Sequence, residues 1–126
     1  PQAINNRFCS KDGGTNALGR QMILASHDID STIEKCTVDT IAQRVTEGRG
    51  VIISVDASKL WYGKHNRNAG HAVTVTSVKR DSSGKVLGFF ICDSGRHETG
   101  ATYYTKKEIK RSLTGRPMNV TTNIIR

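Results

Sequence analysis

Two apolar runs separated by a turn sequence constrain the fold of this 126-residue chain more than any other feature. The runs are residues 70–78 and 86–93, and both are rich in the β-branched and aromatic side chains that favour strands. Between them, residues 81–84 read Asp-Ser-Ser-Gly, in which Asp and Ser bond their own backbone and Gly accepts a positive φ. The sequence therefore predicts a β-hairpin over residues 71–93.

The pairing within this hairpin predicts a contact between a histidine and a carboxylate. A three-residue loop places His71 opposite Asp93, with Val73 opposite Ile91 and Val75 opposite Phe89. A two-residue loop shifts the register by one and breaks these pairs. Directly opposed residues have Cβ atoms about 5 Å apart, so the imidazole and the carboxylate can share a hydrogen bond. Such a bond fixes the tautomer and leaves the other ring nitrogen free as a general acid or base, which makes His71 and Asp93 the candidate catalytic pair.

The other elements follow from apolar spacing and from capping residues. Helices are predicted at residues 16–26 and 38–47, with Thr15 and Thr37 as N-caps, and a capping box of Thr105 and Glu108 opens a third helix that ends near Leu113. Strands are predicted at residues 33–36, 51–56 and 119–125, and polar loops at residues 57–69 and 94–102. This order predicts an α+β fold in which helices pack on an antiparallel sheet, as a single domain over residues 1–126.

The charge of the chain favours polyanionic partners. Nineteen Lys and Arg against eleven Asp and Glu give a net charge of +8 and a pI near 9.8. The two polar loops beside His71 carry the candidate substrate-binding residues, namely Trp61, Lys64, Arg67 and Arg96. The alternatives are a solvated basic surface and a tryptophan that is packed for structure alone.

The cysteines and histidines show no metal-ligand spacing, so no metal or other cofactor is expected. The odd count of Cys9, Cys36 and Cys92 argues against a disulfide framework and for a reducing compartment, with Cys92 expected as a buried free thiol in a strand. There is no apolar run long enough to span a membrane and no signal peptide. A chain that starts at Pro1 is expected to be the C-terminal part of a longer polypeptide.

The order of these motifs resembles the papain-like cysteine peptidases that remove double-glycine leaders, and their peptidase-like relatives. The resemblance is carried by Gly14-Thr15 and the helix after it, the strand 51–56, Gly70-His71, and Cys92-Asp93. Residues 47–56, 60–63 and 70–73 are more similar to toxin domains at the C-terminal ends of bacterial effectors, including contact-dependent growth inhibition toxins. The resemblance implies a papain-like fold, with His71 as the catalytic histidine and Asp93 as the acid that orients it.

The same resemblance implies a cysteine nucleophile at the N-terminus of a helix, where the helix dipole lowers the thiol pKa. Residues 12–14 read Asp-Gly-Gly where the family has Asp-Cys-Gly, which puts Gly13 at the place of the thiol. The preferred alternative matches Gly14-Thr15 to a later glycine-threonine, so that the nucleophile helix lies upstream of Pro1 and is missing from this chain. Cys9 is the candidate thiol within the chain.

Three functions follow from this sequence. The first is an interbacterial toxin that cleaves RNA, above all tRNA, with a site centred on His71. The second is a cysteine peptidase or acyl-transfer enzyme, and the third is a non-enzymatic binding module that has lost its nucleophile. A toxin of this kind implies an acidic immunity protein, a possible host protein factor, and delivery from the producing cell into the cytoplasm of a target cell.

Overall fold

The computed structural model describes residues 16–62, 70–92 and 100–124, and it confirms the α+β class. The six strands form one antiparallel sheet in the order β1-β6-β2-β3-β4-β5. The elements, in chain order, are α1 (Ala17–Ser26), β1 (Ser31–Glu34), α2 (Val38–Thr46), β2 (Arg49–Asp56), α3 (Ala57–Tyr62), β3 (Gly70–Arg80), β4 (Val86–Cys92), β5 (Thr102–Thr105), α4 (Lys106–Ser112) and β6 (Met118–Ile124).

The main core lies between one face of the sheet and helices α2, α3 and α4. The spacing of Val38, Ile41, Ala42 and Val45 puts four apolar side chains on one side of α2, and all four are buried. They pack with alternate residues of the central strands and with Leu60 and Ile109 from the other two helices. The strand residues of this core are Val51, Ile53, Val55, Val73, Val75, Phe89, Ile91, Tyr104, Met118 and Val120.

The opposite face of the sheet is covered at one end by helix α1. Asn119 alternates with the core residues Met118 and Val120, so its side chain lies on this second face. Its Oδ1 accepts a hydrogen bond from Nε of Arg20, and its Nδ2 donates to the carbonyl of Ala17. Helix α1 is therefore fixed to β6 by polar contacts that are almost fully buried.

The capping residues define where the helices begin. Thr37 is an N-cap and Thr105 forms a capping box with Glu108, as the sequence predicts, and Thr37 also forms a capping box with Thr40. The predicted cap at Thr15 is wrong by one residue, because the side chain of Asn16 accepts a hydrogen bond from the backbone N–H of Gly19 at 2.7 Å. Gly48 follows α2 with φ 83°, the left-handed conformation that ends a helix.

Two short elements were not predicted from the sequence, and the first of them replaces part of a predicted polar loop. Residues 57–62 form α3, which begins at Ala57 because Asp56 Oδ1 accepts a hydrogen bond from the backbone N–H of Lys59. Residues 102–105 form the edge strand β5, which pairs with β4 through Phe90 and Tyr103. Strand β1 also starts two residues before its predicted position. Elements of four to six residues have too little periodicity to be recognised from spacing alone.

The hairpin is present, but its predicted register is wrong by two residues. Val75 lies opposite Ile91 and Thr74 opposite Cys92, whereas the sequence predicted Val73 for Ile91. The turn sets this register, because Asp81 Oδ1 accepts hydrogen bonds from the backbone N–H groups of Ser83 and Lys85. The loop therefore consists of residues 82–84. The pairing of β3 with β4 is irregular at two places, after Val75 and after Lys79, where the register changes.

Candidate functional site

His71 is the second residue of β3 and is half-buried. It lies opposite Val55 of β2, and Gly70 lies opposite Asp56. Alternation along the strand puts His71 on the same face as Val73, which is the face that carries the main core. The predicted position of His71 at a strand start is confirmed, and its imidazole belongs to the helix-covered side of the sheet.

Asp56 is the residue beside this site that the sequence analysis missed. It is the last residue of β2, it is 7% exposed, and it caps helix α3 through Lys59. Leu60 anchors the same helix in the core with 1% exposure. Trp61 is the next residue of α3, and its side chain lies outside the described residues. Aspartate is a preferred N-cap residue, and Asp56 directly follows the β-branched run of β2. This position is the sequence signal that would have revealed α3.

The C-terminal end of α4 is held against the C-terminal end of β2. Leu113, which follows α4, forms an isolated antiparallel bridge with Val55. The next residue, Thr114, donates from its hydroxyl to the carbonyl of Ser54. Arg111 donates from Nε to the carbonyl of Lys59, which ties α4 to α3. Both short helices are therefore fixed beside the strand pair that carries His71.

The two described thiols differ in environment, and neither is positioned beside His71. Burial raises the pKa of the Cys36 thiol to about 11, while the nearby Arg20 acts in the opposite direction. Cys92 is exposed at the end of β4, so the expectation of a buried thiol there is wrong. It lies opposite Thr74, three residues along β3 from His71 and on the other face of the sheet.

The remaining predicted site residues lie outside the described part of the chain. They are Cys9, Lys64, Arg67, Asp93 and Arg96. The contact between His71 and Asp93 stays a prediction, and the register that suggested it no longer supports it. Within residues 16–62, 70–92 and 100–124, no group of three His, Cys, Asp or Glu side chains is arranged to hold a metal ion.

The positive charge is concentrated in one part of the molecule. Residues 70–92 and 100–113 contain seven Lys and Arg against two acidic residues, whereas residues 16–62 contain five against six. The seven are Lys79, Arg80, Lys85, Lys106, Lys107, Lys110 and Arg111. Residues 70–92 and 100–113, which contain β3, β4, β5 and α4, are therefore the basic half of the described structure. None of the described helices is long and apolar enough to cross a membrane.

Comparison with solved structures identifies the fold. The chain is similar to a double-glycine motif protease from an AMS/PCAT transporter, solved in complex with the leader peptide, with a TM-score of 0.57 and 18% sequence identity. The similarity covers 90% of this chain and 64% of that protease, so the chain spans less than two thirds of its length. No protein-family model and no curated protein matches the sequence. The fold is therefore of the papain-like, double-glycine protease type, as the resemblance predicted.

Proposed function

We propose that the chain is a papain-like cysteine hydrolase in which His71 serves as general base and general acid. The observation that supports this proposal is the similarity of the fold to a double-glycine motif protease over 90% of the chain. In this chemistry the imidazole takes the proton of a thiol, the thiolate attacks a carbonyl carbon, and the imidazole returns the proton to the leaving group. His71 lies at the start of β3, opposite the residue of β2 that bridges to the end of α4, and this fixed position suits a positioned base.

Cys9 is the candidate nucleophile within this chain, and the alternative is a cysteine on a helix upstream of Pro1. The raised pKa of Cys36 leaves very little thiolate at neutral pH, and Cys92 lies on the other face of the sheet from His71. Cys9 is the third thiol of the sequence, and it lies outside the described residues. Asp93 would orient the imidazole, as the resemblance to the papain-like peptidases implies.

The proposed substrate is a protein of a target cell, cleaved or acylated after the chain is delivered there as a toxin domain. The support is the similarity of residues 47–56, 60–63 and 70–73 to effector-borne toxin domains. Trp61, in the helix that follows β2, and Lys64, Arg67 and Arg96 would contact the substrate.

The thiol–imidazole pair can be tested without knowing the substrate. The full chain is treated with iodoacetamide between pH 5 and 9, and the alkylation rate of each cysteine is measured by mass spectrometry. A thiol paired with an imidazole is a thiolate at pH 6, so Cys9 is expected to react about 100-fold faster there than Cys36.

The matched variant is His71→Asn, which removes the base and should shift the reaction of Cys9 to the pH range of an ordinary thiol, near 8.5. Cys36→Ser and Cys92→Ser should leave the reaction of Cys9 unchanged. The proposal is overturned if Cys9 in the wild-type chain already titrates as an ordinary thiol and His71→Asn has no effect.

RNA cleavage is the second candidate function, and the concentration of positive charge around β3, β4 and α4 favours it. The 2′-hydroxyl of RNA supplies its own nucleophile, so His71 would act as an acid–base group without a thiol. Incubation of the chain with total tRNA, with and without extract of a target cell to supply a host factor, should then yield fragments on a gel. His71→Asn should abolish the cleavage while Cys9→Ser leaves it intact, and uncut tRNA in both conditions would eliminate this candidate.

Either toxin activity implies an acidic immunity protein that binds the basic half of the molecule. Charge-led association weakens as salt screens the partners, so the dissociation constant should rise between 50 and 500 mM NaCl. An affinity that stays constant across this range would contradict the expected acidic partner.

A further inference from the structure

An aromatic side chain pair lies on the face of the sheet that is opposite the main core. On β4, Phe89 and Ile91 point into the core and Phe90 between them points to the second face. On β5, Tyr104 is 6% exposed in the core, whereas Tyr103 is 36% exposed. Phe90 and Tyr103 lie directly opposite each other, and their ring centroids are 5.2 Å apart.

A lysine accompanies this pair. Nζ of Lys79, an exposed residue of β3, lies 5.4 Å from the centroid of the Tyr103 ring, within the range of a cation–π contact. Lys79, Phe90 and Tyr103 therefore form a row across three neighbouring strands, which we call the aromatic surface. Strands β3, β4 and β5 contain no Asp or Glu, so no carboxylate of these strands opposes a polyanion there.

Gly88 explains how the tyrosine ring is held on the sheet. A Cβ atom added to Gly88 would lie 2.4 Å from the Tyr103 hydroxyl oxygen and 2.7 Å from Cζ of the same ring. The ring therefore lies against the backbone of β4, in space that only a glycine leaves open. This packing restrains the ring while more than a third of the residue stays exposed.

We propose that the aromatic surface binds single-stranded RNA, with a base stacked on Tyr103 and a neighbouring phosphate held by Lys79. Aromatic side chains on a sheet face combined with basic groups are the arrangement on which single-stranded nucleic acids stack, since every base has a π-face. Lys79 supplies positive charge beside the rings, whereas the four cations of α4 lie on the helix-covered face of the sheet. The inference goes beyond the proposed hydrolase and does not depend on the reaction at His71.

The test is fluorescence anisotropy with a labelled oligouridine of about ten nucleotides at several salt concentrations. Tyr103→Leu keeps an apolar side chain over Gly88 but removes the ring, and it should weaken binding about 5- to 100-fold without changing the salt dependence. Lys79→Gln should weaken binding and reduce the slope of log K against log salt by about 0.7. Lys35→Gln, an exposed lysine outside the basic half, is the matched control and should bind as the wild-type chain does.

Ultraviolet crosslinking of the wild-type chain to the same RNA avoids any effect of the variants on folding. Crosslinked peptides from β4 and β5 that contain Phe90 or Tyr103 are expected by mass spectrometry. The inference is overturned if Tyr103→Leu binds RNA as tightly as the wild type, if crosslinks map elsewhere, or if duplex RNA binds equally well. It is also overturned if the chain binds anionic phosphatidylserine vesicles through Tyr103 and does not bind RNA.

Discussion

Arg20 of helix α1 donates a hydrogen bond from Nε to Oδ1 of Asn119 on strand β6, at a distance of 2.7 Å. Asn119 is 1% exposed, and its Nδ2 donates to the carbonyl of Ala17 at 2.8 Å. Burial and the nearby Arg116 lower the pKa of the Arg20 guanidinium. One amide side chain thus satisfies a buried cation and a helix carbonyl, and it fixes α1 to the sheet.

Asn119→Leu is expected to destabilise the chain by about 2–4 kcal/mol, because it removes both hydrogen bonds from a buried polar contact. The measurement is the free energy of unfolding in urea at pH 7. Asn123→Leu is the matched control, since Asn123 is exposed on the same strand and the change should stay within about 0.5 kcal/mol. Equal effects of the two substitutions would show that α1 is not fixed through Asn119.

Stability should fall at alkaline pH through Cys36. Its pKa in the folded chain is about 11, above the ordinary value of 9.0, so the unfolded chain loses the proton first. The stabilisation that the neutral Cys36 thiol gives the folded chain is complete below pH 9. About 1–2 kcal/mol of the free energy of unfolding is lost as the pH rises towards 11. The free energy of unfolding measured at pH 8, 9, 10 and 11 should decline less steeply in Cys36→Ala, and parallel curves would refute the assignment.

Stability should also fall at acid pH through Glu34. A hydrogen bond from Thr32 and a second from Arg44 lower the pKa of its carboxyl, so this contribution exists above the ordinary pKa and is lost as the pH falls through the lowered one. Glu34→Gln should cost up to about 1 kcal/mol at pH 7, and this cost should shrink as the pH falls through the lowered pKa. Urea unfolding of both chains over the acid pH range tests this, and a difference that stays constant across that range would exclude the ionic contribution.

Gly88→Ala should destabilise the sheet by about 2–3 kcal/mol, because the new Cβ would lie 2.4 Å from the carbonyl oxygen of Tyr104 as well as from the Tyr103 ring. Gly70→Ala is the control, since a Cβ there meets no atom within 4 Å. Thermal unfolding of the two variants provides the comparison. A Gly88→Ala chain as stable as Gly70→Ala would mean that Tyr103 does not lie against β4.

Local chemistry predicted the parts of the fold that local contacts determine. The N-cap at Thr37, the capping box at Thr105 and the strand predicted at residues 51–56 depend on residues close in sequence, and the structure confirms them. The edge strand β5 depends on its pairing with β4, which no local pattern of four residues reveals. The register of the hairpin depends on the side-chain bonds of Asp81, which place the three-residue loop at residues 82–84 and which loop length alone does not reveal.

The candidate site shows the same division. His71 could be placed at the start of a strand from the sequence, because the glycine before it and the apolar alternation after it mark that boundary. The exposure of Cys92 could not be predicted from the sequence, because it depends on where β4 ends relative to the neighbouring strands. The role of Asp56 escaped notice because a cap for a six-residue helix resembles an ordinary polar loop.

The position of strand β6 has a consequence for how the chain acquires its structure. β6 is the last strand in the sequence, yet it lies between β1 and β2 in the sheet. Strands β1 and β2 therefore cannot pair with the neighbour that they share until residues 118–124 have been synthesised. This side of the sheet is completed by contacts between residues far apart in the sequence, which are the contacts that slow folding.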